Sequence, residues 1–270
     1  MKNRFFLTIL LSALLPFGAR ATDIRFRNFS TDDGLPDNSV RSIVQDSNGL
    51  IWLCTREGIC MYDGQHFKLL EDDSCDILDG LAMNLAEDRQ HRLWFVTTRG
   101  IGFHDLETGE TRTVRRNTQG GLIGAADIAV DRNGLVWFAN EDIFCWDPAR
   151  EALVDYSPAA SFRSDAVEAD SNGSIWFLSS NGDLYRFNNL GGSFERHYAG
   201  GSSGRTSRHD LVSDGDGHLL YSAPGGTVLS TDIYTYATTT LYRTGAGEIR
   251  CIVPDEDGRA SSWRTYRCPC

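Results

Sequence analysis

Asp46-Ser-Asn-Gly-Leu-Ile-Trp52 decides the fold, because it returns as Asp131-Arg-Asn-Gly-Leu-Val-Trp137 and as Asp170-Ser-Asn-Gly-Ser-Ile-Trp176. A worn copy, Asp88-Arg-Gln-His-Arg-Leu-Trp94, puts His91 at the glycine position. A fifth, Asp214-Gly-Asp-Gly217, has Leu220 in place of the tryptophan, and a sixth, Asp255-Glu-Asp-Gly258, is followed by Ser261. Positions 52, 94, 137, 176, 220 and 261 are separated by 42, 43, 39, 44 and 41 residues. The repeat anchors are therefore Asp46, Gly49 and Trp52; Asp88 and Trp94; Asp131, Gly134 and Trp137; Asp170, Gly173 and Trp176; and Asp214 with Gly217.

Two further series run in phase with the first. Asp63, Asp105, Asp147, Asn188 and Asp232 each close a short apolar or aromatic run such as Phe144-Cys-Trp146, and Gly58, Gly100, Gly182 and Gly226 lie between the other two series. The three series cut each unit into four short segments. Val40-Arg-Ser-Ile-Val44 and Leu50-Ile-Trp-Leu-Cys54 are β-branched or aromatic runs bounded by turn residues, which is how strands read. The Asn-Gly and Asp-Gly pairs predict tight hairpins with both central residues at φ > 0, and Asp46 is placed to accept the N–H of Asn48 and pin its loop. Four strands every ~40–45 residues is the period of a β-propeller, whereas helical solenoids show apolar residues at a 3.6 spacing. The expected fold is an all-β propeller of four-stranded antiparallel blades, five full repeats and a partial sixth, with the ring incomplete. The blades fall near 38–75, 80–118, 123–160, 165–200, 207–243 and, partially, 248–258, within repeats spanning 22–258 and before an aberrant tail at 259–270. Each tryptophan is expected to fill the wedge between neighbouring blades. Ile24-Arg-Phe-Arg-Asn-Phe29 reads as a strand that closes the last blade and removes an exposed edge.

Lys2 and Arg4 precede an apolar run from Phe5 to Phe17, followed by Ala19-Arg-Ala21. That run is shorter than the ~20 residues of a spanning helix and carries a small-x-small cleavage pattern, so residues 1–21 read as a signal peptide cut after Ala21 and the chain as periplasmic or secreted. No membrane span is expected in the mature chain. Loss of Lys2, Arg4 and Arg20 takes the formal charge from −11 to −14. Nucleic acid needs a basic stripe that displaces counterions, and the nearest approach is Arg112 to Arg116, so it is excluded as a partner.

Seven cysteines is an odd number for an exported chain, which leaves at least one thiol without an internal partner. Cys54 and Cys60 lie symmetrically about Glu57 and so face each other across a hairpin, but a directly cross-strand disulfide has strained geometry, and two buried free thiols are expected. Cys268-Pro-Cys270 lacks a second pair at zinc spacing. The Asp-x-Asn-Gly loops lack the third oxygen ligand and the distal glutamate of a calcium loop. No metal, no cofactor and no catalytic residue is therefore assigned. His66, His91, His104, His197, His209 and His218 sit mostly at turns or strand ends without a neighbouring carboxylate motif, against the geometry that a catalytic base requires.

The stretch from Asp33-Gly-Leu-Pro-Asp-Asn-Ser-Val through Gly49-Leu-Ile-Trp52, Thr55 and Gly58 to Tyr62-Asp-Gly64 closely resembles the two-component regulator propeller repeat, and the later repeats resemble it more loosely. The resemblance implies the periplasmic sensor region of a hybrid two-component histidine kinase, apparently truncated. It also implies ligand sensing, with a glycan or other small molecule as ligand and a second propeller or dimer partner admitted. The binding residues are not readable, because the loops differ between blades. The alternatives are a propeller lyase acting on a cyclic ester and a protein-binding scaffold.

Overall fold

The computed structural model describes residues 27–114, 125, 127–140, 142–198, 210–223, 226–243, 249 and 252–254. The expected signal peptide, the sixth Asp-Glu-Asp-Gly turn, the 259–270 tail, Cys251, Cys268, Cys270, His209, Arg115 and Arg116 lie outside them.

Twenty strands form five separate four-stranded sheets, each an antiparallel meander in chain order. The first blade holds β1 (Val40–Gln45), β2 (Ile51–Thr55), β3 (Gly58–Tyr62) and β4 (Phe67–Leu69). The second holds β5 (Ala82–Glu87), β6 (Arg92–Thr97), β7 (Gly100–Asp105) and β8 (Thr111–Val114). The third holds β9 (Asp127–Val130), β10 (Val136–Ala139), β11 (Ile143–Asp147) and β12 (Ala152–Asp155), and the fourth β13 (Ser164–Ala169), β14 (Ile175–Ser179), β15 (Leu184–Asn188) and β16 (Ser193–Tyr198). The fifth holds β17 (Leu211–Ser213), β18 (His218–Ala223), β19 (Thr227–Asp232) and β20 (Thr238–Arg243). Residues 252–254 of the sixth repeat form no strand.

The first strands of consecutive blades adjoin, β1 with β5, β5 with β9, β9 with β13 and β13 with β17, so they line the inner edge. No comparable apposition joins β1 to β17 among the described residues. In blades one to four the second strands are the most deeply buried, and the tryptophans do fill the wedges: Trp94, Trp137 and Trp176 are fully buried and Trp52 nearly so. Trp94 packs on Phe138 of the next blade at 5.5 Å, and Trp137 on Phe177 and Phe187 at 5.9 and 4.6 Å.

Among the described residues, the first blade has one face that no blade covers. In blades two to five the faces toward the preceding blade carry Phe95, Phe138, Phe177 and Tyr221, all fully buried. The matching face of blade one carries Leu53, Ile51, Tyr62 and Phe67 around a cavity of about 540 Å³, with Ile43 63% exposed. The closing strand expected at 24–29 is not formed by the described part of that segment: Arg27–Phe29 has no strand pairing, and residues 24–26 lie outside the described residues. Phe29 instead packs edge-on against Tyr62 and Phe67 at 5.1 and 5.5 Å, where an aromatic ring gains more by covering the open apolar face than by ending in solvent.

The repeated turn also differs from expectation. In the first four repeats only the fourth residue is left-handed, at φ 86° for Gly49, 80° for Gly134, 69° for Gly173 and 57° for His91, and Asn48, Asn133 and Asn172 are not; in the fifth both Gly215 and Gly217 are, at 80° and 97°. Asp46 N–H donates to Leu50 O and Gly49 N–H to Asp46 O, both at 2.9 Å. This is a three-residue loop ending in one left-handed residue, the second commonest hairpin connection.

The cysteine pair is a correction of parity. Thr55 pairs with Gly58, so the turn is centred between Arg56 and Glu57, and Leu53 rather than Cys54 stands opposite Cys60. One residue of register moves a side chain to the other face. Cys54 therefore packs between blades one and two, while Cys60 packs with Leu35 and Leu53 on the open face. Both are free and buried, as are Cys75 and Cys145. Burial pushes the Cys54 thiol up to about 12 and the Cys60 thiol up to about 11. Since the thiolate is the reactive form, iodoacetamide at pH 8, mapped peptide by peptide, is expected to leave these four unlabelled in native protein and to label all four in denaturant. Fast native labelling of any of the four would refute their inertness.

Candidate functional site

Strand order gives the propeller two unlike ends. One end carries the Asp-x-Asn-Gly loops and the β3–β4-type loops. The other carries the β2–β3-type hairpins and the connections between blades.

The first end is committed to structure. Asp46 Oδ1 accepts the N–H of Asn48 and of Leu50, each at 2.9 Å, while Oδ2 accepts Trp52 Nε1–H at 2.8 Å. Asp170 repeats this with Asn172, Ser174 and Trp176, and Asp131 with Asn133, Leu135 and a longer 3.4 Å bond to Trp137. Asp88 does the same for Gln90, Arg92 and Trp94 and also pairs with the Arg92 guanidinium at 2.6 Å. Asp214, which has no tryptophan, takes Asp216 and His218 N–H and the His218 ring at 3.0 Å. The aspartate thus ties its loop to the buried tryptophan six residues later. The sequence shows the spacing but not the bond. Asp63, Asp105, Asp147, Asn188 and Asp232 cap their own turns in the same manner, as Asp63 does for Gln65 and His66 at 2.9 and 2.7 Å.

The histidines correct one expectation, since four of the described ones have a carboxylate within 4.0 Å and two of these are at hydrogen-bond distance. His91 Nδ1 lies 3.1 Å from Glu87 Oε1 and 2.9 Å from Ser47 Oγ, and His218 Nδ1 lies 3.0 Å from Asp214 Oδ2. The reason is spacing: in both loops the fourth residue after the carboxylate folds back over it. A nucleophile–base–acid relay needs the serine on one ring nitrogen and the acid on the other, whereas Ser47 and Glu87 share Nδ1. His104 and His197 are shifted down by burial. Among the described residues no three His, Cys, Asp or Glu side chains form a metal-holding group.

The connection end is where the blades differ. Between blades three and four the 156–163 connection, Asp142 and the 180–182 turn enclose a groove of about 590 Å³ lined by Asp142, Ser157, Phe162, Arg163, Ser180 and Asn181. Its backbone is strapped at both edges: Ile143 N–H donates to Ser157 Oγ at 3.0 Å, Ser164 N–H to Asn140 O at 3.1 Å and Ser180 N–H to Arg163 O at 3.2 Å. Phe162 is held by stacking on Tyr185, 3.8 Å apart and 6° from parallel. A rigid wall with an aromatic ring, a guanidinium, a carboxylate, hydroxyls and an amide suits a polar ligand that also presents an apolar face. None of these lining residues was singled out by the repeat, because repeats report what blades share. A second groove of about 420 Å³ lies at the structural end between Arg132, Ser174, Arg186 and Glu195, but Arg186 is already bonded to Tyr236 Oη and Ser174 Oγ at 3.0 and 2.9 Å.

Residues 34–57 match the two component regulator propeller family. Over 78 residues the chain is 33% identical to histidine kinase P4 of Formosa agariphila, which is 28% of this chain and 6% of that protein. The extracellular domain of a hybrid two component system from B. thetaiotaomicron superposes with a TM-score of 0.68 at 20% identity, over 86% of this chain and 33% of the other. Virginiamycin B lyase from Staphylococcus aureus superposes with a TM-score of 0.60 at 15% identity, over 78% and 72%. The chain thus spans about a third of the Bacteroides chain and a small part of the kinase. At these identities the structural likenesses establish the propeller fold.

Proposed function

We propose that this chain is the ligand-sensing propeller of a two-component signalling system, exported by residues 1–21 and working outside the inner membrane. The ligand, a glycan or another small polar molecule, sits in the groove at the connection end. The match of residues 34–57 to the two component regulator propeller family carries the reading. Local similarity to a histidine kinase and the polar groove support it. Recognition belongs to the propeller; phosphotransfer belongs to the kinase part of such systems.

Differential scanning fluorimetry of the purified chain against oligosaccharides tests it. A ligand at 100 times its Kd adds about 2.7 kcal/mol, which raises Tm by about 5–10 °C in a domain of this size. Asn181→Ala and Arg163→Ala are expected to abolish the shift while leaving the ligand-free Tm within about 2 °C, as surface substitutions do. No shift with any carbohydrate overturns the glycan reading. Metal-dependent opening of a cyclic ester by the same protein favours the lyase reading instead.

A further inference from the structure

Nine places before the tryptophan position, blades two to five and the sixth repeat have Leu85, Ile128, Val167, Leu211 and Ile252. Each packs in one apolar cluster with the tryptophan-position residue of the blade before it: Leu85 with Trp52, Ile128 with Trp94, Val167 with Trp137, Leu211 with Trp176 and Ile252 with Leu220. All five are 1–6% exposed. Side chains on the inner edge cross the same junctions. Ser42 Oγ donates to Asn84 Oδ1 and Asn84 Nδ2–H to Asp127 Oδ1, both at 2.6 Å; Asp127 Oδ2 accepts Val167 N–H at 2.8 Å; and Asp210 Oδ2 accepts Ile252 N–H. The first blade's member of the series is Ile43, and among the described residues no blade stands in front of it. Ile43 is 63% exposed, and Val40, whose counterparts Ala82, Ala125 and Ile249 are buried, is exposed too.

Blade five presents the complementary half of the same junction. Its face away from blade four carries Leu220, Val228 and Leu241, packed with Ile249 and Ile252. Tyr242, the cross-strand partner of Val228, is 46% exposed there, whereas Val114, the matching residue of blade two, is buried. Leu69 stands opposite Cys60 on the open face of blade one. Half of the exposed large apolar side chains among the described residues, Val40, Ile43, Leu69 and Tyr242, therefore lie on these two faces, and apolar exposure gathered in this way marks an interaction surface.

We propose that the open face of blade one is an interface with a second copy of this chain, whose fifth blade docks on it head to tail, as each blade docks on the next within one molecule. Ile43 and Val40 enter the places that Ile252 and Ile249 occupy in the single chain, and Asp210 Oδ2 takes the Ile43 N–H as Asp127 takes that of Val167. The register is the same, since Ile43 stands opposite Leu53 as Val167 stands opposite Phe177. The sixth repeat is the weaker occupant of blade five: its described residues bring two isoleucines and one hydrogen bond and form no strand. Blade one brings a four-stranded sheet with Ile43, Leu53 and Tyr62 on the docking face. A head-to-tail contact leaves one free face at each end, so it propagates until a ring closes. This goes beyond the sensing reading and depends on no ligand.

Sedimentation velocity of the purified protein from about 1 μM to about 200 μM is the test, in about 0.3 M NaCl to screen the repulsion between two acidic chains. The weight-average mass is expected to rise with concentration to at least twice that of the monomer. Ile43→Asp puts a charge on the blade-one face and Tyr242→Asp puts one on the blade-five face; each alone is expected to weaken association about tenfold or more. Both positions are exposed, so the Tm of each variant should stay within about 2 °C of the wild type. An equimolar mixture of the two variants keeps one intact face of each kind, so it should restore a dimer and stop there. Wild-type protein that remains a monomer over the whole range overturns the interface. Tyr242→Asp protein that still pairs while Ile43→Asp protein does not, or a mixture that stays monomeric, overturns the head-to-tail arrangement.

Discussion

Asp88→Ala is expected to destabilise the protein by about 3–5 kcal/mol, the cost of leaving a buried charge without its partner. Asp88 and Arg92 are both buried, and the Arg92 guanidinium lies over the packed rings of Trp94 and Phe103, 5.4 and 5.0 Å from their centroids. Without the carboxylate, a buried guanidinium packed on aromatic rings has lost its counter-ion, and the Trp94 indole N–H and two loop amides have lost their acceptor. Asp131→Ala is the matched comparison. It removes the same loop bonds and a longer indole bond of 3.4 Å, but its fourth residue is Leu135 and no ion pair is broken, so about 1–3 kcal/mol is expected from unsatisfied donors. Urea unfolding of both variants measures the difference. Equal losses would mean that the ion pair adds nothing beyond the loop. Since a domain has about 5–15 kcal/mol in total, Asp88→Ala is expected to sit close to unfolding.

This contrast also shows what could be read beforehand. The phase of the propeller was legible because Asp46, Asp88, Asp131 and Asp170 and their tryptophans perform one physical task and so keep one spacing. In the fifth repeat, which lacks the tryptophan, His218, four residues on, holds the carboxylate oxygen that tryptophan holds elsewhere, and in the second repeat Arg92 shares that oxygen with Trp94. A side chain with a ring or guanidinium nitrogen at that fourth position was a usable signal. The inner-edge bonds had little, since Ser42, Asn84, Asp127 and Asp210 share a location and a direction but span three residue types, and the fourth blade has Ala166 there. The facing of Cys54 and Cys60 depended on whether the turn is centred on a residue or between two, which composition does not encode. The groove at the connection end was the least legible part, because its residues come from three segments that share no pattern.

Three glycines of the repeated turn, Gly49, Gly134 and Gly173, look equivalent in sequence and are expected to respond differently to a methyl group. Gly49→Ala meets nothing closer than Gln45 Nε2 at 3.8 Å, and Gly134→Ala meets the flexible stem of Arg89 at 3.7 Å. For both the penalty is the left-handed backbone alone, about 1–2 kcal/mol, and His91 shows that a side chain can occupy this conformation here. At Gly173 the new Cβ would run into Arg132 Cβ and sit 2.9 Å from Arg132 N and 3.0 Å from Arg132 Cα. Those atoms cannot swing away, because the loop of blade three that carries them is pinned by Asp131 and is bonded through Arg132 N–H to Gly173 O at 3.4 Å. Overpacking against fixed backbone adds about 1–3 kcal/mol, so Gly173→Ala should cost clearly more than either of the others. Arg132→Gly combined with Gly173→Ala removes the side-chain clash and keeps the backbone one, so it should recover part of the loss but not all of it. Complete recovery in that double-mutant cycle would place the whole penalty on the Arg132 side chain, and equal costs at the three glycines would mean that the blades do not approach each other as closely as Arg132 and Gly173 do here.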